Sequence, residues 1–434
     1  MAHVISDLSK YAITAFMLIY MLECYISFFL KSESRGIFIR QVICMFMVHF
    51  LGFCAICLET GDPSYIIFYG FQEIMLFATI ALFRVLYPEA DRLVVNNMCM
   101  LLSVSFVMLT RLSFEKSIRQ FGIVAASVTI GLVMPWIIKK FSFLDKLTWV
   151  YAAIGVFALG IVYILGAVTN GSNISFSIGG ITFQPSEFVK IVFVFFVASL
   201  LARSRDFKSV VICTLIAALH VVILVLSKDL GSAVIFFVVY LGMLFVATHN
   251  YFYLIAGLLA GGGACFVGYK LFSHVRVRVV AWLDPWTNID NAGYQVTQSL
   301  FAIGTGGWFG MGVYQGNPSS IPYVEKDSIF SAVAEELGVL FAIFMILICL
   351  SCFLNFLKLA AGILNDFYRY IAVGLAIGYI FQVFLTVGGS TRFIPLTGVT
   401  LPLVSYGGSS VLSTIMLFCI IVGIYVVRDR EQYM

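Results

Sequence analysis

Runs of about 20 apolar residues recur along this chain from one end to the other. A run of that length is what an α-helix needs to cross the hydrocarbon core of a bilayer. Hydrophobic residues make up 61% of the sequence and charged residues 11%, against roughly 25% charged in a soluble domain. The chain therefore has too little polar side chain to cover a water-facing surface. It is expected to be an all-α polytopic membrane protein with about 13 transmembrane helices. The candidate spans lie near 11–30, 37–58, 66–87, 95–111, 119–141, 147–168, 184–203, 209–227, 231–249, 251–272, 329–357, 367–391 and 401–427. The first has no basic n-region and no small-residue cleavage site, so it reads as a retained helix and not as a signal peptide.

Lys and Arg in the short loops set the orientation. One side collects Lys31, Arg35, Arg40, Arg84, Arg92, Lys139, Lys140, Lys146, Arg203, Arg205, Lys208, Lys358, Arg369 and the tail Arg428 and Arg430. That side is expected to be cytoplasmic, with the N-terminus outside and the C-terminus inside. The uncharged loop 169–183 and the long segment 273–328 then fall outside. One loop disagrees, since Arg111, Lys116 and Arg119 also fall outside. The net charge of +4 does not indicate nucleic acid as a partner, because the basic residues sit in short loops. The ten cysteines all fall in apolar runs, so there is no disulfide framework; the Cys54-x-x-Cys57 and Cys349-x-x-Cys352 pairs read as small apolar fillers. The five histidines are scattered and mark no metal site.

The segment 273–328, between the tenth and eleventh spans, is the only long polar stretch. Its Arg276, Arg278, Asp284, Asp290, Glu325, Lys326 and Asp327 are accompanied by Trp282, Trp286 and Trp308. Loops of this length are functional or disordered, and the tryptophans and aliphatics argue for a folded one. Residues 293–303 read as an amphipathic helix on the membrane surface, followed by the glycines 304, 306, 307, 310, 312 and 316.

Charge inside a span costs roughly 3 kcal/mol or more and marks a function or a pair. Glu187 and Lys190 lie three residues apart on one helical face. They form a structural ion pair or line a polar cavity. Asp229 either caps the helix after it or faces the site. Asp327 has the same two readings: a cap for the run starting at Ile329, or a group placed where a polar substrate arrives. Glu335 and Glu336 point about 100° apart in a helix, so at least one is expected to face the interior. Glu23 and Glu73 have no constellation around them. The stretch Pro402–Ser410 puts Ser405, Tyr406 and Ser409 at the start of the final span, either to permit close packing or to wall a lipid groove.

Taken in order, Gln184-Pro185-Ser186-Glu187-Phe188-Val189-Lys190, Asp229-Leu230-Gly231, Leu283-Asp284-Pro285-Trp286, Gly293-Tyr294-Gln295, Ile303-Gly304-x-Gly306-Gly307, Asp327-x-Ile329-Phe330 with Glu335-Glu336-Leu337-Gly338, and Leu401–Ser410 give a familiar set. The chain resembles the SEDS family (shape, elongation, division and sporulation; FtsW/RodA/SpoVE) over about residues 95–427. The resemblance implies a ten-helix glycosyltransferase core at 94–434, with residues 1–93 as an added three-helix membrane segment. It also implies a peptidoglycan polymerase of the bacterial plasma membrane. Such an enzyme joins lipid II to a glycan carried on undecaprenyl diphosphate, and works with a class B penicillin-binding protein transpeptidase.

On that resemblance Asp327 is the catalytic base and Glu187 and Lys190 are an intramembrane pair. Arg276, Arg278, Lys326 and Arg392 are then outer cations available to pyrophosphate. Asp229 is a candidate ligand for a divalent cation such as Mg or Mn. Three positions depart from the family pattern: Ile174-Ser175, Lys228 and Lys326. A flippase for the same lipid-linked precursor, or a non-catalytic cell-wall scaffold, are the competing readings; neither needs a base in the outer loop.

Overall fold

The structure, a computed structural model, describes residues 2–29, 35–169, 172–178 and 181–433; Lys31, used above for orientation, lies outside them. Among the described residues, thirteen helices are long and apolar enough to cross a membrane. The chain divides into two compact units. The first comprises residues 1–132, 280–355 and 383–407, and the second 133–279, 356–382 and 408–434.

The first unit opens with α1 (Ala2–Phe29), α2 (Arg35–Thr60), α3 (Pro63–Leu86), α4 (Arg92–Leu112) and α5 (Phe114–Gly131). Helix α4 is its axis: every residue from Leu93 to Thr110 is buried. A helix buried all round in a membrane protein must find partners for its polar side chains, and α4 does so at Asn96, Asn97, Ser103 and Thr110, leaving only the Ser105 hydroxyl without one among the described residues. Asn97 Oδ1 accepts from the Tyr20 hydroxyl (3.0 Å) and from Cys24 Sγ (3.2 Å) on α1. Its Nδ2 donates to Ser351 Oγ at 2.9 Å. Asn96 Nδ2 donates to Gln41 Oε1 on α2 at 2.9 Å. Helices α1 and α2 are thus stitched to α4 by buried amides. Glu23 and Glu73, which looked isolated in the sequence, are both partnered. Glu23 accepts from Arg40 Nε at 2.5 Å. Glu73 meets His49 Nδ1 at 2.8 Å, while Nε2 of that ring meets Gln72 at 2.9 Å. Their partners sit 17 and 24 residues away in the chain, beyond the reach of i,i+4 reading.

The second unit begins at α6 (Met134–Lys140), set off from α5 by the bend at Leu132–Val133. Pro135 cannot donate to the preceding turn, so the expected single span 119–141 becomes two helices. Next come α7 (Thr148–Leu165), α8 (Pro185–Arg203), α9 (Phe207–Leu226), α10 (Leu230–Thr248) and α11 (Tyr251–Leu271). Between α7 and α8, where the sequence suggested a plain loop, lie β1 (Ala167–Thr169), β2 (Ser172–Ile178) and β3 (Ile181–Phe183), paired antiparallel in the order β1-β2-β3. The reason is legible in retrospect: Ser172-Asn173-Ile174-Ser175-Phe176-Ser177-Ile178 alternates polar and apolar with period two.

The long segment 273–328 is folded, as its tryptophans suggested. It carries α12 (Ser273–Leu283) and α13 (Tyr294–Gly306), the latter matching the expected helix at 293–303. The expected span 329–357 is two elements, α14 (Ile329–Glu336) and α15 (Val339–Ala361), separated by Gly338. Gly338 has φ +94°, and a Cβ there would come within 2.5 Å of the backbone of Gly310 and Trp308. Only glycine fits that crossing. After α16 (Asp366–Ser390), the expected span 401–427 starts late. Residues 401–407 form a turn with Leu403 at φ 65°, and α17 (Gly408–Tyr433) follows.

The Asn97 network predicts a stability effect. Asn97→Ala takes the acceptor from the buried Tyr20 hydroxyl and a donor from Ser351, which keeps its bond to the Ile348 carbonyl, and is expected to cost about 1–2 kcal/mol. Thermal unfolding of the purified protein in detergent measures it; an unchanged midpoint would mean that the network carries no weight.

Candidate functional site

The segment from Glu325 to Ser328 enters α14 without Asp327 acting as its cap. Ser328 occupies the cap position and makes no side-chain capping bond. The half-buried Asp327 carboxylate instead accepts from Gln295 Nε2, on α13, at 3.1 Å, and the same amide reaches Ser328 Oγ at 3.1 Å. The segment is pinned on its other side by the 401–407 turn. The Tyr406 amide donates to the Glu325 carbonyl at 2.7 Å, and the Ser405 hydroxyl donates to the Lys326 carbonyl. Ser405 and Tyr406 thus build the backbone frame around Asp327. Lys326 is exposed beside it, 5.8 Å from the Tyr323 ring centroid.

Behind this segment the first unit holds its acids with cations. Both Glu335 and Glu336 are buried, where the helical spacing required only one to be. Glu336 Oε1 accepts from Arg111 Nε at 2.7 Å, and the Arg111 guanidinium also stacks 4.3 Å from the Tyr314 ring centroid. Glu335 Oε1 accepts from the Asn317 amide at 2.8 Å. Lys116 Nζ donates to Glu325 Oε1 at 2.5 Å. Arg111, Lys116 and Arg119 were the cations that broke the loop-charge rule; each has a carboxylate, Glu115 serving Arg119 at 2.6 Å. Burial alone would raise the Glu325 carboxyl. The Lys116 ammonium and nearby backbone and Lys326 charge outweigh that and hold it below the usual glutamate range.

Arg392 is not a free cation. Its Nε and a terminal nitrogen donate to the Trp282 and Leu283 carbonyls at 2.9 and 2.7 Å, and Trp282 Nε1 donates back to the Arg392 carbonyl at 3.1 Å. It thereby closes the C-terminal end of α12, where a helix end attracts positive charge. Asp284, just after, is held low by the Thr287 hydroxyl and amide.

The second unit carries the other sequence-derived group. Pro185 starts α8, and one turn on Glu187 Oε2 meets Lys190 Nζ at 2.8 Å. Lys190 also donates to Gln382 Oε1 at 2.6 Å, and Glu187 Oε2 accepts from Ser413 Oγ at 3.1 Å. The pair is thus a four-residue network of α8, α16 and α17. Ser409 Oγ accepts from the Gln184 amide at 2.9 Å. Asp229 caps α10 through the Ser232 amide at 3.1 Å, and its other oxygen accepts from Ser186 Oγ (3.1 Å) and Gln184 Nε2 (3.2 Å). Those oxygens are already engaged. Among the described residues, no three His, Cys, Asp or Glu side chains converge to hold a metal ion by themselves, so a cation at Asp229 would draw its remaining ligands from elsewhere, such as substrate phosphates. Arg276 is exposed and Arg278 half-buried on α12. Gln295, Arg111, Gln382 and Ser413 were given no role from sequence. Arg111 had a usable signal: a cation on the wrong side and a carboxylate inside a span each need a partner, and the two deficits cancel.

The sequence model of the FtsW/RodA/SpoVE family, described as cell cycle protein, matches residues 91–430. A peptidoglycan glycosyltransferase RodA of Mycobacterium bovis is 31% identical over 393 residues, covering 84% of each chain. A probable peptidoglycan glycosyltransferase FtsW of Pseudoalteromonas translucida is 30% identical over 391 residues, covering 84% of this chain and 96% of that protein. A solved structure described as structural coordination of polymerization and crosslinking by a peptidoglycan synthase complex superposes with a TM-score of 0.67 at 25% identity. It covers 79% of this chain and 99% of its own.

Two measurements follow from the paired acids. Arg111→Ala strands a buried carboxylate and is expected to cost about 3–5 kcal/mol. Adding Glu336→Gln should recover a substantial part, so strict additivity in the double-mutant cycle would reject the pair. The depressed Glu325 carboxyl contributes stability above the ordinary glutamate range, and that contribution is lost as the pH falls through its lower folded value. Glu325→Gln should therefore flatten the acid limb of the stability profile; an unaltered limb would show that the Lys116 contact is not formed.

Proposed function

This chain belongs to the FtsW/RodA/SpoVE cell cycle protein family, and on that premise we propose that it is a peptidoglycan glycosyltransferase that polymerises lipid II. In this reading residues 94–434 are the catalytic core and residues 1–93 a membrane extension. The loop charges place the N-terminus outside, the C-terminus in the cytoplasm and the segment 273–328 on the outer face of the plasma membrane. The observation that carries the reading is the setting of Asp327. It is a carboxylate released from helix capping, aimed by the Gln295 amide and framed by backbone bonds to the 401–407 turn.

Joining two glycans requires that an acceptor sugar hydroxyl lose its proton as its oxygen attacks the donor anomeric carbon. The bond from that carbon to undecaprenyl diphosphate breaks, and the electron pair leaves with the diphosphate. Asp327 takes the hydroxyl proton. A single carboxylate suffices because anchored substrates supply much of the rate through positioning. The leaving diphosphate needs positive charge. Lys326, next to Asp327, serves that role, whereas Arg392 is committed to closing α12. No step runs through a divalent cation. Glu187 and Lys190 shape the polar interior of the second unit around Ser413 and Gln382. The strands it makes are crosslinked by a class B penicillin-binding protein. The solved peptidoglycan synthase complex supports that pairing.

A flippase would not depend on a base at Asp327, and this separates the readings. Asp327→Asn keeps size and the Gln295 contact but removes basicity. It is expected to lower glycan polymerisation from lipid II by the purified protein by about 100-fold or more, while the unfolding midpoint stays unchanged. Near-normal strand synthesis by a folded Asp327→Asn protein would overturn the assignment.

A further inference from the structure

A cavity of about 90 Å³ lies where α3 ends and α4 begins, lined by Ile80, Phe83, Arg84, Tyr87, Arg92 and Asn96 among others. That volume holds several waters or a small anion. It is set at one face of the helix bundle of the first unit: Arg84 is in the last turn of α3, and Arg92 and Arg35 are the first residues of α4 and α2. Arg84 and Arg92 thus both line the cavity, and Arg35 opens the neighbouring helix α2.

No carboxylate answers them. Asp91 is committed to the Leu93 amide at 2.7 Å and to Asn355 Nδ2 at 3.1 Å. Glu89 is exposed and makes no ion pair among the described residues. Three other cations of this unit do have an acid: Arg40 with Glu23, Arg111 with Glu336, Lys116 with Glu325. The cluster that surrounds the cavity has none among the described residues. Its walls are mixed in a definite way. Ile80 and Phe83 are buried, while Phe77, two turns before Arg84 on the same face of α3, and Ile74 near it are exposed apolar side chains; Arg84, Arg92 and Asn96 line the end. Tyr87, whose hydroxyl donates to the Leu132 carbonyl at 2.6 Å, holds the far wall in place.

We infer that this cavity binds the headgroup phosphate of an anionic phospholipid, with the acyl chains along the apolar face of α3. Arginine forks match phosphate oxygens, and clustered cations at the ends of spans are where anionic lipid headgroups lie. A free phosphate would satisfy the same guanidiniums, but it would make no use of the apolar wall that continues down α3. Such a lipid would sit between the first three helices and α4, at the junction that the Asn96–Gln41 bond also closes.

Native mass spectrometry of the full chain in detergent tests this, with phosphatidylglycerol, phosphatidylcholine and inorganic phosphate as the three probes. The wild type is expected to retain phosphatidylglycerol over phosphatidylcholine, and millimolar inorganic phosphate should not displace it. Arg84→Gln with Arg92→Gln should weaken phosphatidylglycerol retention by about tenfold or more, the weight of one charge-assisted hydrogen bond. Replacing both by Lys should keep most of it. Equal retention by the wild type and the Gln variant would overturn the inference, as would displacement by inorganic phosphate alone. If the double Gln variant does not fold, Arg84→Gln alone decides, because Arg84 is exposed and its change leaves the buried core intact.

Discussion

Helix α4 is buried from Leu93 to Thr110 and yet carries Asn96, Asn97, Ser103 and Thr110. In a membrane protein a buried polar group has no water to fall back on, so each must be satisfied by protein. That single demand organises the first unit. It draws Tyr20, Cys24 and Gln41 inward from α1 and α2, and it recruits Ser351 from α15. One turn beyond the apolar centre it becomes electrostatic, with Arg111 meeting Glu336. The catalytic candidate inherits its position from this arrangement, because Glu336 ends the short helix that Asp327 precedes.

The two sequence-derived clusters are built on different principles. Around Asp327 the frame is mostly backbone: the Tyr406 amide, the Glu325 and Lys326 carbonyls and the Ser405 hydroxyl, with one side-chain amide from Gln295. Substituting Ser405 or Tyr406 therefore acts on loop geometry before it acts on any substrate. Around Glu187 and Lys190 the frame is all side chain, drawn from three helices. A buried pair of that kind is weak evidence for stability and better evidence for a fixed arrangement of helices.

The spans were legible because the apolar period is long and repeated, and thirteen were found where thirteen were read. The breaks within them were not. Gly338 and the Leu132–Val133 bend interrupt apolar runs without changing hydropathy, and only the backbone crossing at Gly310 explains the first. The strands between α7 and α8 were hidden for a different reason: two are only three residues long, and the serine-rich run Ser172–Ile178 has the composition of a loop. At the site, sequence placed Asp327, Glu187 and Lys190 where they belong in the chain. It could not tell that Arg392 is spent on the end of α12, that Asp229 accepts from Gln184, Ser186 and Ser232, or that Gln295 reaches across 32 residues to Asp327. Those are facts of tertiary contact.

The break at Gly338 bears on how the protein is assembled. Helix α14 ends in two adjacent glutamates, and its last carbonyls accept from the Met311 and Gly312 amides while Val339 and Leu340 bond back to Gly307 and Trp308. A translocating chain can deliver α15 into the bilayer as an uninterrupted apolar helix. It cannot deliver Glu335 and Glu336 with it at comparable cost, since isolated acids resist insertion. They become tolerable only once Arg111 and the 307–317 backbone are already in place to receive them. Helix α14, and with it the Asp327 segment, is therefore a late arrival in biogenesis, sealed into a socket that the earlier helices must first complete.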